Sequence, residues 1–145
     1  PTPLTTVYVS PLKPEHQELA RQLGAVWVGG AMEMPPDKLH GSIIFAPAGE
    51  LVPPALRALE RGGTLALAGI HMSPIPSLDY DRDVFGERVI RSVTVNTRQY
   101  GIDLLREAAA IPIKPHIVRF PLEEANRALQ ELKAGSFRGA AVLTM

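Results

Sequence analysis

The sequence predicts an α/β fold built on a doubly wound parallel sheet, and three observations carry that reading. Strand-like and helix-like segments alternate along the 145 residues, the order in which parallel sheets are wound. The run Ser42–Ala46 and the run Thr64–Ala68 lack the alternation of a half-exposed strand, as expected of a sheet covered on both faces. Glycines at 24, 29–30, 62–63 and 135 close the periodic segments, where helices and strands are commonly stopped.

The elements follow in order. Thr5–Val9 is β-branched and aromatic, a strand, and Ser10–Lys13 turn the chain. Pro14 suits the first position of a helix to Leu23, with Leu19, Ala20 and Leu23 as its apolar stripe and Gly24 as its stop. Ala25–Val28 is a short strand and Met32–His40 a proline-interrupted loop. The strand Ser42–Ala46 leads to a helix Leu51–Glu60, whose Pro53 and Pro54 fall in the first turn. Gly62-Gly63 is expected to end that helix before the strand Thr64–Ala68. After a loop rich in proline and aspartate, Arg88–Val95 reads as a strand, and Thr97 can cap a helix from Arg98 to about Ala109. Ile117–Phe120 is a short strand. Pro121 opens a helix with Leu122, Ala125, Leu129 and Leu132 on one face, Gly135 ends it, and Ala140–Thr144 is the last strand.

Composition narrows the function. Fifteen basic and fifteen acidic residues leave no net field, so nucleic acid and anionic membranes find no electrostatic footprint. The apolar runs are too short to span a bilayer, and no charged-then-apolar leader opens the chain, so a cytoplasmic location is the default expectation. With no cysteine, the chain has no disulfide, thiolate metal ligand or cysteine nucleophile. His16, His40 and His116 show no metal-ligand spacing and read as surface or boundary residues, and Trp27 and Phe45 read as core. No glycine pair gives the G-x-G-x-x-G spacing with which a strand-to-helix turn holds a pyrophosphate.

Four segments together carry a resemblance: Leu19–Gly30 (LARQLGAVWVGG), Ser42–Ser73 (SIIFAPAGELVPPALRALERGGTLALAGIHMS), Ser92–Arg98 (SVTVNTR) and Pro121–Met145 (PLEEANRALQELKAGSFRGAAVLTM). In this order they resemble the C-terminal half of the zinc-type alcohol dehydrogenases, in the medium-chain dehydrogenase/reductase superfamily, over nearly the whole chain. The resemblance implies a Rossmann-type sheet in which Val7-Tyr8-Val9 is the second strand, and the first, central strand with its glycine-rich loop is absent. It implies a partial dinucleotide-binding domain over residues 1–115 and a C-terminal segment, 116–145, that returns to the catalytic domain. A fragment is the simplest expectation, whether truncated, proteolysed or encoded by a degraded gene. The cofactor would be NADP or NAD, bound weakly by this chain alone. Zinc would belong to the upstream half only.

The resemblance also assigns candidate residues. Ser10 and Lys13 stand where the adenosine ribose is read; with no acid between them, the turn tilts toward NADP. Ala46, Pro47 and Gly49 would line the adenosine end of the groove, their small size permitting close backbone approach. Ala68, Gly69 and Ile70, with Val95, Asn96 and Thr97, would hold the nicotinamide carboxamide. Arg138 would reach the pyrophosphate. His71 follows the nicotinamide-contacting strand, but the resemblance assigns it no relay role, and it reads as a structural loop histidine. Homodimerisation is expected through the edge Arg88–Val95, and the complete protein would take an alcohol or carbonyl substrate. Two rival readings are a non-enzymatic truncated paralogue acting as a dimerisation or binding module, and a zinc-free quinone-oxidoreductase-like reductase. With its central strand absent, the sheet is expected to close the gap, by pairing Thr5–Val9 beside Ser42–Ala46 or by dimerising.

Overall fold

The computed structural model describes residues 6–10, 14–30, 32–94, 96–111 and 113–145. They form two compact units, Pro1–Val95 and Asn96–Met145. Helix Arg98–Ala110 thus belongs to the second unit, whereas the sequence reading set its functional boundary at 115/116.

The first unit opens with β1 (Tyr8–Val9), α1 (Pro14–Gln22) and β2 (Trp27–Val28). The two strands pair in parallel, Tyr8 with Trp27 and Val9 with Val28, and the ladder extends through Val26 N–H to the Val7 carbonyl at 2.9 Å. Pro14 starts the helix as expected, and Gly24 follows it at φ +93°, a conformation that favours glycine.

A second parallel sheet has the order β3 (Leu39–Ile44), β4 (Leu59–Leu67), β5 (Val89–Ser92). Between its first two strands stand a 3₁₀ turn, Gly49–Leu51, and α2 (Val52–Ala58). In the order 3-2-1-4-5-6 of a doubly wound sheet, β2-β1 and β3-β4-β5 are the two blocks that flank the first strand. The topology therefore agrees with the expected sheet lacking its centre. The gap does not close by direct pairing: among the described residues, β1 pairs with β2 and β3 with β4, but not β1 with β3.

Three local expectations change. The helix ends at Ala58 rather than Glu60, because the fully buried Leu59 already lies in extended backbone. Gly62-Gly63 therefore falls within β4, at a register shift between the Leu39–Leu59 and Gly41–Thr64 pairs. There Gly62 takes φ +75° and donates to the Gly86 carbonyl at 2.8 Å. Second, only one face of this sheet is covered among the described residues. Ile44 and Leu65 are buried with Val52, Leu56 and Leu59, while Ile43 and Phe45, on the opposite face, are 59% and 75% exposed. Phe45 is therefore not a core residue. Third, β5 is shorter than Arg88–Val95. Arg88 precedes it and is turned inward, its guanidinium donating to the carbonyls of Leu59, Arg82 and Phe85 at 3.0–3.3 Å.

Around this core the 79–85 segment forms a single π-helical turn, Tyr80–Val84. Its Asp83 is fully buried. The carboxylate accepts from Arg57 Nε at 2.6 Å and from the Asp79 N–H at 2.9 Å. The Arg57 bond holds the Asp83 carboxyl below the usual carboxylate range against the opposing effect of burial, with the Asp79 amide and the Arg57 and Arg82 charges adding to it.

The second unit contains α3 (Arg98–Ala110), β6 (Ile117–Pro121), a 3₁₀ turn Leu122–Glu124, α4 (Ala125–Ala134) and β7 (Ala140–Thr144). Thr97 caps α3 as expected, its hydroxyl accepting the Tyr100 N–H at 3.2 Å. β6 and β7 pair in parallel across α4, which ends at Gly135 with φ +65°. The expected stripe of α4 is only partly right. Ala128 is the buried residue, while Leu122, Leu129 and Leu132 are exposed. Phe120 is buried against Phe137, ring centroids 5.9 Å apart, with the Arg127 guanidinium 5.1 Å above its ring. Arg127 also pairs with Glu124 and Glu131. No helix among the described residues is long and apolar enough to cross a membrane.

Candidate functional site

Parallel pairing puts the carboxyl ends of β3, β4 and β5 on one edge of their sheet. The turn after β3, Ala46–Gly49, and the loop after β4, from Ala68 to Asp79, meet there. Ser73 N–H donates to the Pro47 carbonyl at 3.2 Å, and Gly49 N–H donates to Ser73 Oγ at 2.8 Å. Ser73 Oγ in turn donates to Glu50 Oε2 at 3.3 Å. A side chain at Gly49 would collide with the carbonyl oxygens of Ser73 and Pro74, so this glycine is required by backbone packing. The turn and the loop are stapled together.

Beside the staple lies an open concavity of about 330 Å³. Leu67, Gly69 and Ile70 form one side, Met72, Ser73 and Ile75 the second, and Ser92 of β5 the third. Its walls are mainly apolar with two hydroxyl-bearing residues, the composition common to small-molecule sites. At Gly69 an added Cβ would stand 3.1 Å from the His71 carbonyl oxygen and 3.5 Å from that of Phe45, so the two loops approach closely at this glycine.

The sequence-predicted residues divide into those the structure assembles and those it describes separately. Ala46, Pro47 and Gly49 join Ala68, Gly69 and Ile70 at one edge; Ala68 N–H bonds the Ile44 carbonyl at 2.9 Å, and Ile70 is fully exposed at the rim. Ser10 is exposed just beyond β1. Lys13 and Val95 lie outside the described residues. Asn96 and Thr97 are exposed in the second unit, where Thr97 caps α3. Arg138 is exposed in the same unit, before Gly139 and β7. His71 is exposed. Ser73, Ser92 and Glu50 were not singled out by sequence reasoning. The short segment His71-Met72-Ser73, which follows a buried strand, was the available signal.

A second concavity, of about 360 Å³, lies between β1 and α1 and is lined by Val7, Val9, Leu19, Ala20 and Leu23, with His16 at its side. Among the described residues no group of three or more histidines and carboxylates is placed to hold a metal ion.

No family model matches the chain. It is 50% identical over 127 residues to the probable alcohol dehydrogenase AdhA of Mycobacterium tuberculosis (strain CDC 1551 / Oshkosh), covering 88% of this chain and 37% of that protein. Its structure is similar to an alcohol dehydrogenase zinc-binding domain protein from Burkholderia ambifaria, with TM-score 0.77 and 18% identity over 97% of this chain and 42% of the other. It is also similar to Bacillus subtilis yhfP with NAD bound, with TM-score 0.73 and 16% identity over 97% of this chain and 47% of the other. The chain thus spans less than half the length of each of these three proteins.

Proposed function

We propose that this chain, a relative of the alcohol dehydrogenases over the stretch it shares with them, is the cofactor-holding part of an oxidoreductase. The enzyme would move hydride between a nicotinamide dinucleotide and a small alcohol or carbonyl substrate, in the cytoplasm. One observation carries the reading: the two segments 46–49 and 68–70 meet at a single carboxyl edge beside an apolar concavity. Ligands of doubly wound sheets bind outside the carboxyl ends of the strands.

A bound nicotinamide supplies the hydride acceptor or donor. The chain's own part is to fix the ring and keep water from it. Leu67, Met72 and Ile75 offer apolar walls, and Gly69 lets backbone come close. Strand ends suit the task, because hydride transfer tolerates little misplacement. Ser10 and Lys13 would read the adenosine ribose with a preference for NADP; Val95, Asn96 and Thr97 would add carboxamide contacts, and Arg138 a pyrophosphate contact. The outer edge of β5, exposed at every residue, supports a homodimer through Arg88–Val95; sedimentation equilibrium showing a monomer at all concentrations would remove that part.

The test is titration of the chain with NADPH and NADH, followed by backbone amide NMR. Saturable shifts at Gly69, Ile70, Met72, Ser73 and Ser92 are expected, with a dissociation constant weaker than about 0.1 mM. A G-x-G-x-x-G turn, which these 145 residues do not contain, supplies charge-assisted hydrogen bonds worth roughly 1.5–3 kcal/mol each, and 1.4 kcal/mol is tenfold in affinity. Shifts confined to the β1–α1 concavity, or none, would overturn the reading.

A further inference from the structure

We infer that the Ser73–Glu50 pair makes the concavity at the carboxyl edge selective for a ring bearing an amide and against the same ring bearing a carboxylate. The inference rests on the cofactor reading above, and it adds a specificity determinant that neither the sequence pattern nor the comparisons indicate. Ser73 is one of the residues lining the concavity, and its hydroxyl is committed on two sides. One lone pair takes the Gly49 N–H at 2.8 Å, and the proton is given to Glu50 Oε2 at 3.3 Å. A hydroxyl has one donor and two acceptor sites. What Ser73 retains for an occupant is therefore a lone pair, an acceptor.

An amide NH₂ can donate to that lone pair, whereas a carboxylate only accepts. At Ser73 the carboxylate would find no donor, and it would also face the Glu50 charge. Both effects act in the same direction. Of the remaining lining side chains, Leu67, Ile70, Met72 and Ile75 offer the anion no donor, and Ser92, on the β5 side, offers a single hydroxyl that serves either group. Glu50 is exposed, so solvent screens its charge and its share of the selectivity is modest.

Nicotinamide and nicotinate, which differ in this one group, are the probes. Each is titrated at millimolar concentrations into the 145-residue chain at pH 8, above the ordinary titration of histidine. The amides of Gly69, Ile70, Met72 and Ser73 are observed by NMR. The expected result is that nicotinamide binds about tenfold more tightly than nicotinate, a difference of roughly one hydrogen bond plus a screened repulsion. In Glu50→Gln, which keeps an acceptor for Ser73 but no charge, the ratio should fall by about threefold; an unchanged amide spectrum elsewhere certifies its fold. Equal binding of the two probes, or a ratio untouched by Glu50→Gln, would overturn the inference while leaving the cofactor reading intact. Failure of both probes to shift these amides would overturn the two together.

Discussion

The molecule contains two strand–helix–strand units of the same outline, β3–α2–β4 and β6–α4–β7, and they are built to different depths. Around α2, Ile44, Val52, Leu56, Leu59 and Leu65 form a buried cluster, and Pro53 and Ala58 are buried beside it. Around α4, among the described residues, Phe120 and Ala128 are buried, and Leu129 and Leu132 face outward. The difference lies in what else each unit has. β4 gains a third strand, β5, and the 72–85 segment closes over α2, with Met72 and Leu78 packed on the core and Asp83 bound to Arg57. α4 packs against β6 and β7, which among the described residues form a two-stranded sheet. A parallel strand pair and its crossover helix set the outline, but a further layer is needed before the helix side chains leave water.

The sharpest way to break the comparison is to truncate matched leucines. Leu56→Ala should destabilise the first unit by about 2–5 kcal/mol, because Leu56 is fully buried and a cavity would remain. Leu129→Ala, at a site 63% exposed, should change stability by less than about 0.5 kcal/mol. Urea unfolding of the two variants checks the pair; equal losses would show that α4 is buried as deeply as α2.

The next effect is the polar clamp. Asp83→Ala removes the acceptor for Arg57 and for the Asp79 N–H and should cost about 2–3 kcal/mol. The same group fixes the sign of the pH dependence. Its folded pKa lies below its unfolded value, so its stabilisation is present above the ordinary aspartate range, near pH 4. That stabilisation is lost as pH falls through the lower folded value. Wild-type stability should therefore decline on acidification more steeply than that of Asp83→Ala in urea midpoints measured between about pH 5 and pH 2. A smaller effect sharpens the other side of the comparison. Gly135→Ala forces a side chain to φ +65° at the end of α4, where nothing crowds it, and should cost about 1 kcal/mol.

What the sequence made legible follows the range of the forces involved. Pro14, Thr97 and Gly135 mark helix ends through bonds and dihedrals within a few residues, and all three do so in the structure. The split of the sheet into β2-β1 and β3-β4-β5 was expected from the resemblance, which made Val7-Tyr8-Val9 the second strand of the order 3-2-1-4-5-6. The bulge at Gly62 was not, since it answers to Gly86, far along the chain. Nor was Asp83, which looks like one acid among several in a loop until Arg57, 26 residues away, is brought to it. At the candidate site the small residues 46–49 and 68–70 were legible as turns at strand ends. Ser73 was not, because its significance comes from Gly49 and Glu50, 24 and 23 residues away.

Filling the concavity tests most directly whether the carboxyl edge of β3–β5 holds the cofactor's ring. Ser92 is exposed on the edge strand β5 and lines the concavity, so Ser92→Trp places a bulky side chain there without disturbing the buried core. The account predicts that the variant keeps the wild-type urea midpoint yet loses the NADH-induced shifts at Gly69, Ile70 and Ser73. NADH binding undiminished in a folded Ser92→Trp chain would contradict it.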